Sequence, residues 1–93
     1  MPRLNIQLIN DAVSNSFLNP QGDLEMTLNG LKLKEIENFA IIQDRVDAIN
    51  ISDNEIKYLG NFSPMNRLKH LYICNNYIEK IDSNISNYLP NLI

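Results

Sequence analysis

Ninety-three residues make one small domain with a modest core, and two domains are excluded at this length. Hydrophobic residues at 44 % and charged residues at 20 % place the chain among sequences that fold, outside the regime of disorder. A net charge of -3 argues against a chain that holds nucleic acid by itself, because that affinity comes mainly from lysine and arginine neutralising phosphates.

The single cysteine, Cys74, excludes an internal disulfide and any multi-cysteine metal site; it reads as a half-buried, inert thiol. No apolar run approaches the roughly 20 residues that span a bilayer. "MPRLNIQLINDAV" interrupts its apolar residues where a signal peptide needs a continuous run. The expectation is an intracellular chain in a reducing compartment, with no membrane partner.

Along the chain, Ile6, Ile9, Ala12, Val13 and Phe17 fall on one side of a 3.6-residue helix, with Asn5 as its N-cap and "NPQGD" as the turn that follows. This predicts a helix that caps the first coil of a solenoid, within residues 1–22. Next, "MTLNGLKLKEIENF" carries a degenerate repeat over 23–45: Met26, Leu28, Leu33 and Ile36 are inward positions, and Leu31 stands where the following repeats have asparagine.

The repeat itself appears when "VDAINISDNEIKYL" is laid over "LKHLYICNNYIEKI". Val46, Ile49, Ile51, Ile56 and Leu59 superpose on Leu68, Leu71, Ile73, Ile78 and Ile81, and Asn54 superposes on Asn76. This is the leucine-rich repeat pattern L-x-x-L-x-L-x-x-N-x-L, whose period runs from about 20 to 29 residues. The predicted fold is α/β: a leucine-rich repeat solenoid with short parallel strands on the concave face and an N-terminal capping helix. Its units are a repeat at 46–67, another at 68–91, and the start of a further one at 92–93. Asn54 and Asn76 are structural, since a buried amide offers donors and an acceptor to backbone groups where the strand turns inward. Asn61, by contrast, reads as an ordinary loop residue. Leu92 opens a repeat that is not completed, so a longer chain, a partner or a second copy is expected over that end.

No motif for a nucleophile, phosphate loop or metal site is present, and neither a catalytic residue, a cofactor nor a metal is expected. Three N-x-S triplets, at 50, 61 and 84, carry no weight without a signal peptide. The informative surface is the concave row: Glu25, Thr27 and Asn29, then Ala48, Asn50 and Ser52, then His70, Tyr72 and Cys74 point outward by strand alternation. Tyr72 is the kind of amphipathic aromatic that anchors interfaces.

The phrases "LNIQLINDA", "LEMTLNGLKLKEIENF", "DRVDAINISDNEIKYLGNFSPMNRLKHLYICNNYIEKI" and "LPNLI" together resemble the N-terminal part of the A-prime family of the U2 small nuclear ribonucleoprotein, spliceosomal leucine-rich repeat proteins. The likeness runs over essentially the whole chain. It implies a non-enzymatic nuclear scaffold in pre-mRNA splicing. In that family the concave sheet holds a helix of an RNA-recognition-motif protein called B-double-prime, and the pair binds U2 small nuclear RNA, with the partner reading the loop. By position, the partner face would include Thr27, Asn29, Asn50, Ser52, Asp53, Tyr72 and Asn75, while Arg67 and Lys69, at the start of the third strand, would be either contacts for RNA backbone or solvated charges, the two weighing equally. The family's further repeats and partner-wrapping tail have no counterpart after Ile93. Another intracellular repeat adaptor, of the phosphatase-regulator or axonemal light-chain kind, shares the same frame. An extracellular fragment would need cysteine-rich caps.

Overall fold

The structure, a computed structural model, describes residues 3–93; residues 1 and 2 of the expected cap lie outside the described residues. Helix α1 (Ile6–Ser14) opens as predicted, the Asn5 side chain accepting the Leu8 N–H at 2.8 Å. It ends before Phe17. Rather than extending the helix face, Phe17–Leu18 form strand β1, antiparallel to β2 (Leu24–Thr27), with Phe17 opposite Glu25. The Asn19 side chain closes the turn by accepting the N–H groups of Gln21 and Asp23, and Gly22 supplies the positive φ of 83°. The hairpin covers part of the edge that β2 would otherwise expose. Helix α1 buries Ile9 but leaves Ile6 facing solvent; Leu4, just before the helix, enters the core in its place.

Three parallel strands follow the repeat: β2, β3 (Ala48–Asn50) and, after β4, β5 (His70–Tyr72). The register is Glu25↔Ala48↔His70, Met26↔Ile49↔Leu71 and Thr27↔Asn50↔Tyr72, so equivalent residues are separated by 23 and then 22 positions. Met26, Leu28, Ile49 and Ile51 point inward and are buried, together with Leu33, Ile36, Val46, Ile56 and Leu68. On the opposite side of the coils a second pair, β4 (Tyr58–Leu59) and β6 (Lys80–Ile81), runs parallel. Ile81 departs from its equivalent Leu59: it is 60 % exposed, and among the described residues β6 pairs only with β4.

A 3₁₀ turn (Phe39–Ile42) and the short helix α2 (Ile85–Tyr88) complete the coil backs, and Phe39 packs on its repeat equivalent Phe62 with ring centroids 5.7 Å apart. Asn38 and Asn61 also correspond. Each has a left-handed backbone, and each donates its amide into the preceding segment, Asn38 to the Leu4 carbonyl and Asn61 to the Ile36 carbonyl. Asn61 is therefore a coil-to-coil tie rather than an ordinary loop residue.

Asn54 and Asn76 turn the strands inward as expected. The Asn54 Oδ1 accepts from the N–H groups of Leu31 and Leu33, and its Nδ2 donates to the carbonyls of Leu28, Ile51 and Ser52. Asn76 repeats the pattern one coil later, accepting from Ile56 and donating to Ile51, Ile73 and Cys74. Each asparagine thus reaches into the coil before its own. The first coil has no earlier coil to serve, which is why Leu31 is tolerated at that position.

Among the described residues, no helix is long and apolar enough to cross a membrane.

Candidate protein-interaction face

The sheet presents its outward side as successive rungs, and the seven residues singled out for a partner fall on three neighbouring ones. Thr27, Asn50 and Tyr72 share the first rung. Backbone bonds carry the ladder beyond the strands, from Leu28 N–H to the Asn50 carbonyl and from Ile51 N–H to the Tyr72 carbonyl. On the next rung lie Asn29, Ser52 and Cys74, tied by Gly30 N–H to the Ser52 carbonyl and Asp53 N–H to the Cys74 carbonyl. The last rung is Gly30, Asp53 and Asn75. All three have positive φ, 66°, 60° and 57°, which glycine accepts freely and Asp or Asn more readily than other residues.

Not all seven are equally free to bind. Ser52 points outward but is buried, and its hydroxyl oxygen accepts the Cys74 N–H at 3.0 Å. Asn50 accepts the Ser52 N–H, and Asn75 donates to Asp53 at 2.8 Å across the rung. These four side chains hold the shape of the face. Thr27 and Asn29 are exposed, and Tyr72 is half-buried with its ring stacked on His70, centroids 6.2 Å apart. Tyr72 is held in place without being hidden, as an anchor must be. Cys74 is exposed rather than half-buried.

Below Tyr72 the face becomes charged and internally paired. Glu25 and Ala48, expected to be outward, are buried, Glu25 accepting from the Asn19 amide. His70 Nε2 stands 3.4 Å from Asp23 Oδ2, and Lys69 Nζ 3.9 Å from Asp23 Oδ1. Arg67 donates Nε to Asp47 at 2.7 Å, while its backbone N–H bonds Asp44. The Arg67 Nε bond, with the Leu24 N–H on the other carboxylate oxygen, holds the Asp47 carboxyl below the usual aspartate range. Arg67 is raised in turn by the same contact. Arg67 and Lys69 therefore each face an acid of their own sheet, although both remain about half-exposed.

Asp47, not among the residues the pattern singles out, ties three coils at once. Its carboxylate takes Leu24 and Arg67, its N–H reaches the Leu24 carbonyl, and its carbonyl accepts from Lys69. Its recoverable signal is a carboxylate directly before an inward-outward alternation, one place after Val46.

The coil stacking, the asparagine turns and the parallel register define a leucine-rich repeat protein, and the leucine-rich repeat family model matches residues 1–93. The chain belongs to that family. Within it, the chain is 46 % identical over 79 residues to the U2 small nuclear ribonucleoprotein A' of Mycosarcoma maydis and 40 % identical over 90 residues to that of Schizosaccharomyces pombe. These matches cover 85 % and 97 % of this chain, but only 32 % and 37 % of the relatives, so the chain spans about a third of their length. Among solved structures it is similar to a chain of the Drosophila melanogaster SNF/U2A' complex, with a TM-score of 0.93 and 36 % identity, over 99 % of this chain and 52 % of that one.

Proposed function

We propose that the chain is a non-enzymatic scaffold of the U2 small nuclear ribonucleoprotein, acting in the nucleus in pre-mRNA splicing. Its sheet face receives a helix of an RNA-recognition-motif partner of the B-double-prime kind. U2 small nuclear RNA is then held mainly through that partner. The observation that carries this reading is the gathering of Thr27, Asn29 and Tyr72 on adjacent rungs, in a fold that overlays a chain from an SNF/U2A' complex. The charge balance agrees with it: an acidic chain whose Arg67 and Lys69 are engaged with its own carboxylates offers RNA little by itself.

The test is titration of the chain with Drosophila SNF, with and without U2 stem-loop RNA. The parent is expected to bind SNF, and RNA is expected to be retained only when SNF is present. Tyr72→Glu should keep the parent's circular dichroism spectrum and lose about thirtyfold in affinity, the effect of losing an aromatic anchor worth about 2 kcal/mol. A chain that binds the RNA alone as well as with SNF, or a folded Tyr72→Glu protein that binds like the parent, would overturn the reading.

A further inference from the structure

The rung Thr27–Asn50–Tyr72 crosses β5, β3 and β2, and α1 packs against β2 beside it. A groove of about 280 Å³ lies between α1 and the end of β2. Leu8 and Ala12 of the helix and Leu31 of the first coil line its apolar side, each only half-buried. Strand β1 does not reach this far, since it pairs only with Leu24 and Glu25. Leu31 sits where the later coils carry Asn54 and Asn76. With no earlier coil to bridge, the position is apolar, and Leu31 shares the groove with Leu8 and Ala12 of the helix.

Among the groove's lining residues only Asp11 is charged. It is exposed, and its Oδ1 accepts from Gln7 Nε2 at 2.9 Å, which positions it from within its own helix without neutralising it. Thr27 and Asn29 belong both to this groove and to the face described above, so a partner lying across the rungs meets the groove as it leaves the sheet.

We propose that the groove takes one long basic side chain, lysine or arginine, of the same RNA-recognition-motif partner. Its methylene stem lies on Leu8, Ala12 and Leu31, and its charged head lies at Asp11. Lysine and arginine have this division between an apolar stem and a charged tip, and an apolar floor with a single carboxylate at the rim complements it. The volume suits one side chain rather than a second element of structure. This inference rests on the function proposed above, and deepens it by adding a charge-specific contact outside the strands.

The test compares Asp11→Lys, Tyr72→Glu and Glu79→Lys in titrations with Drosophila SNF at low and high salt. Glu79 is exposed in the strand connection leading to β6, away from the groove, and reverses the same charge as a control. Asp11→Lys is expected to fold as the parent does, to lose about tenfold in affinity, and to flatten the salt dependence of binding, because the attraction it removes is one that salt screens. Glu79→Lys should stay within about twofold of the parent, as a distant surface charge does. If Tyr72→Glu weakens binding while Asp11→Lys does not, the groove proposal fails and the face reading survives. Equal losses for Asp11→Lys and Glu79→Lys would also overturn it, by reducing the effect to net charge. If neither Tyr72→Glu nor Asp11→Lys matters, the face reading falls and the groove falls with it.

Discussion

Asn54 and Asn76 hold one position in successive coils and make the same kind of bonds, yet Asn54 is buried at 4 % exposure and Asn76 is only half-buried. The rung beneath them shows the same gradient: Met26 and Ile49 are fully buried, whereas Leu71 is half-buried. Among the described residues the middle coil has neighbours on both sides, and the coil of β5 has one. A residue's contribution in a stacked repeat is thus set by what lies on each side as well as by its place in the pattern, as expected when stability is a sum of coil and interface contributions.

The sharpest way to break this comparison is a charge on the inward rung. Ile49→Asp should cost more than about 4 kcal/mol and leave the chain unfolded, since the carboxylate would be buried without a partner. Leu71→Asp, able to reach water at the last coil, should cost clearly less. Urea titrations that give equal losses would show that the two coils are equally enclosed.

A smaller step removes the turning amides. Asn54→Ala should cost about 2–3 kcal/mol, because it leaves carbonyls and N–H groups of two coils unpaired away from water. Asn76→Ala should cost about half of that, since solvent can replace some of its bonds. The order of the two denaturation midpoints is the measurement, and a reversed order would contradict the burial gradient.

Asn61 sharpens the comparison on the coil backs. Asn61→Ala loses the bond to the Ile36 carbonyl and places a Cβ residue less suited than asparagine at a φ of 61°, together about 1–2 kcal/mol. Asn61→Gly loses the bond but relieves the backbone, so thermal unfolding should place it between Asn61→Ala and the parent.

The mildest perturbation is at Asp47, whose folded pKa lies below its unfolded value of about 3.9. With that sign, the stability it contributes is present above the unfolded value and is lost as pH falls through the lower, folded one. Asp47→Asn should therefore be less stable by about 1 kcal/mol at neutral pH, a figure kept small because Arg67 is half in solvent. Its stability should also fall less steeply than the parent's below about pH 4. Denaturant midpoints measured across that range give the two slopes, and parallel slopes would remove Asp47 from the acid response.

How much of this was legible beforehand differs residue by residue. The inward positions Met26, Ile49 and Ile51, the N-cap at Asn5 and the two turning asparagines follow from the pattern and are found as expected. The rungs joining Thr27, Asn50 and Tyr72 were also readable, because strand alternation and a repeat offset fix which residues become neighbours. Phe17 reads as helical because its spacing fits both a helix face and a strand, and only the open edge of β2 selects the strand. The outward direction of Ser52 was right and its accessibility was not, because the Cys74 N–H that occupies its hydroxyl belongs to the next coil.

The sequence by itself determined the fold class and which positions turn inward, since each coil repeats one local pattern of residue types; how deeply each position is buried depends on its neighbouring coils, as Leu71 and Ile81 show. Tertiary structure alone decided the Asp47 staple, the Asn38 and Asn61 ties, the β1 hairpin, and the groove between α1 and Leu31. Each of these joins positions that are not equivalent in the repeat, and their partners exist only once neighbouring coils, or the helix before them, have been brought into contact.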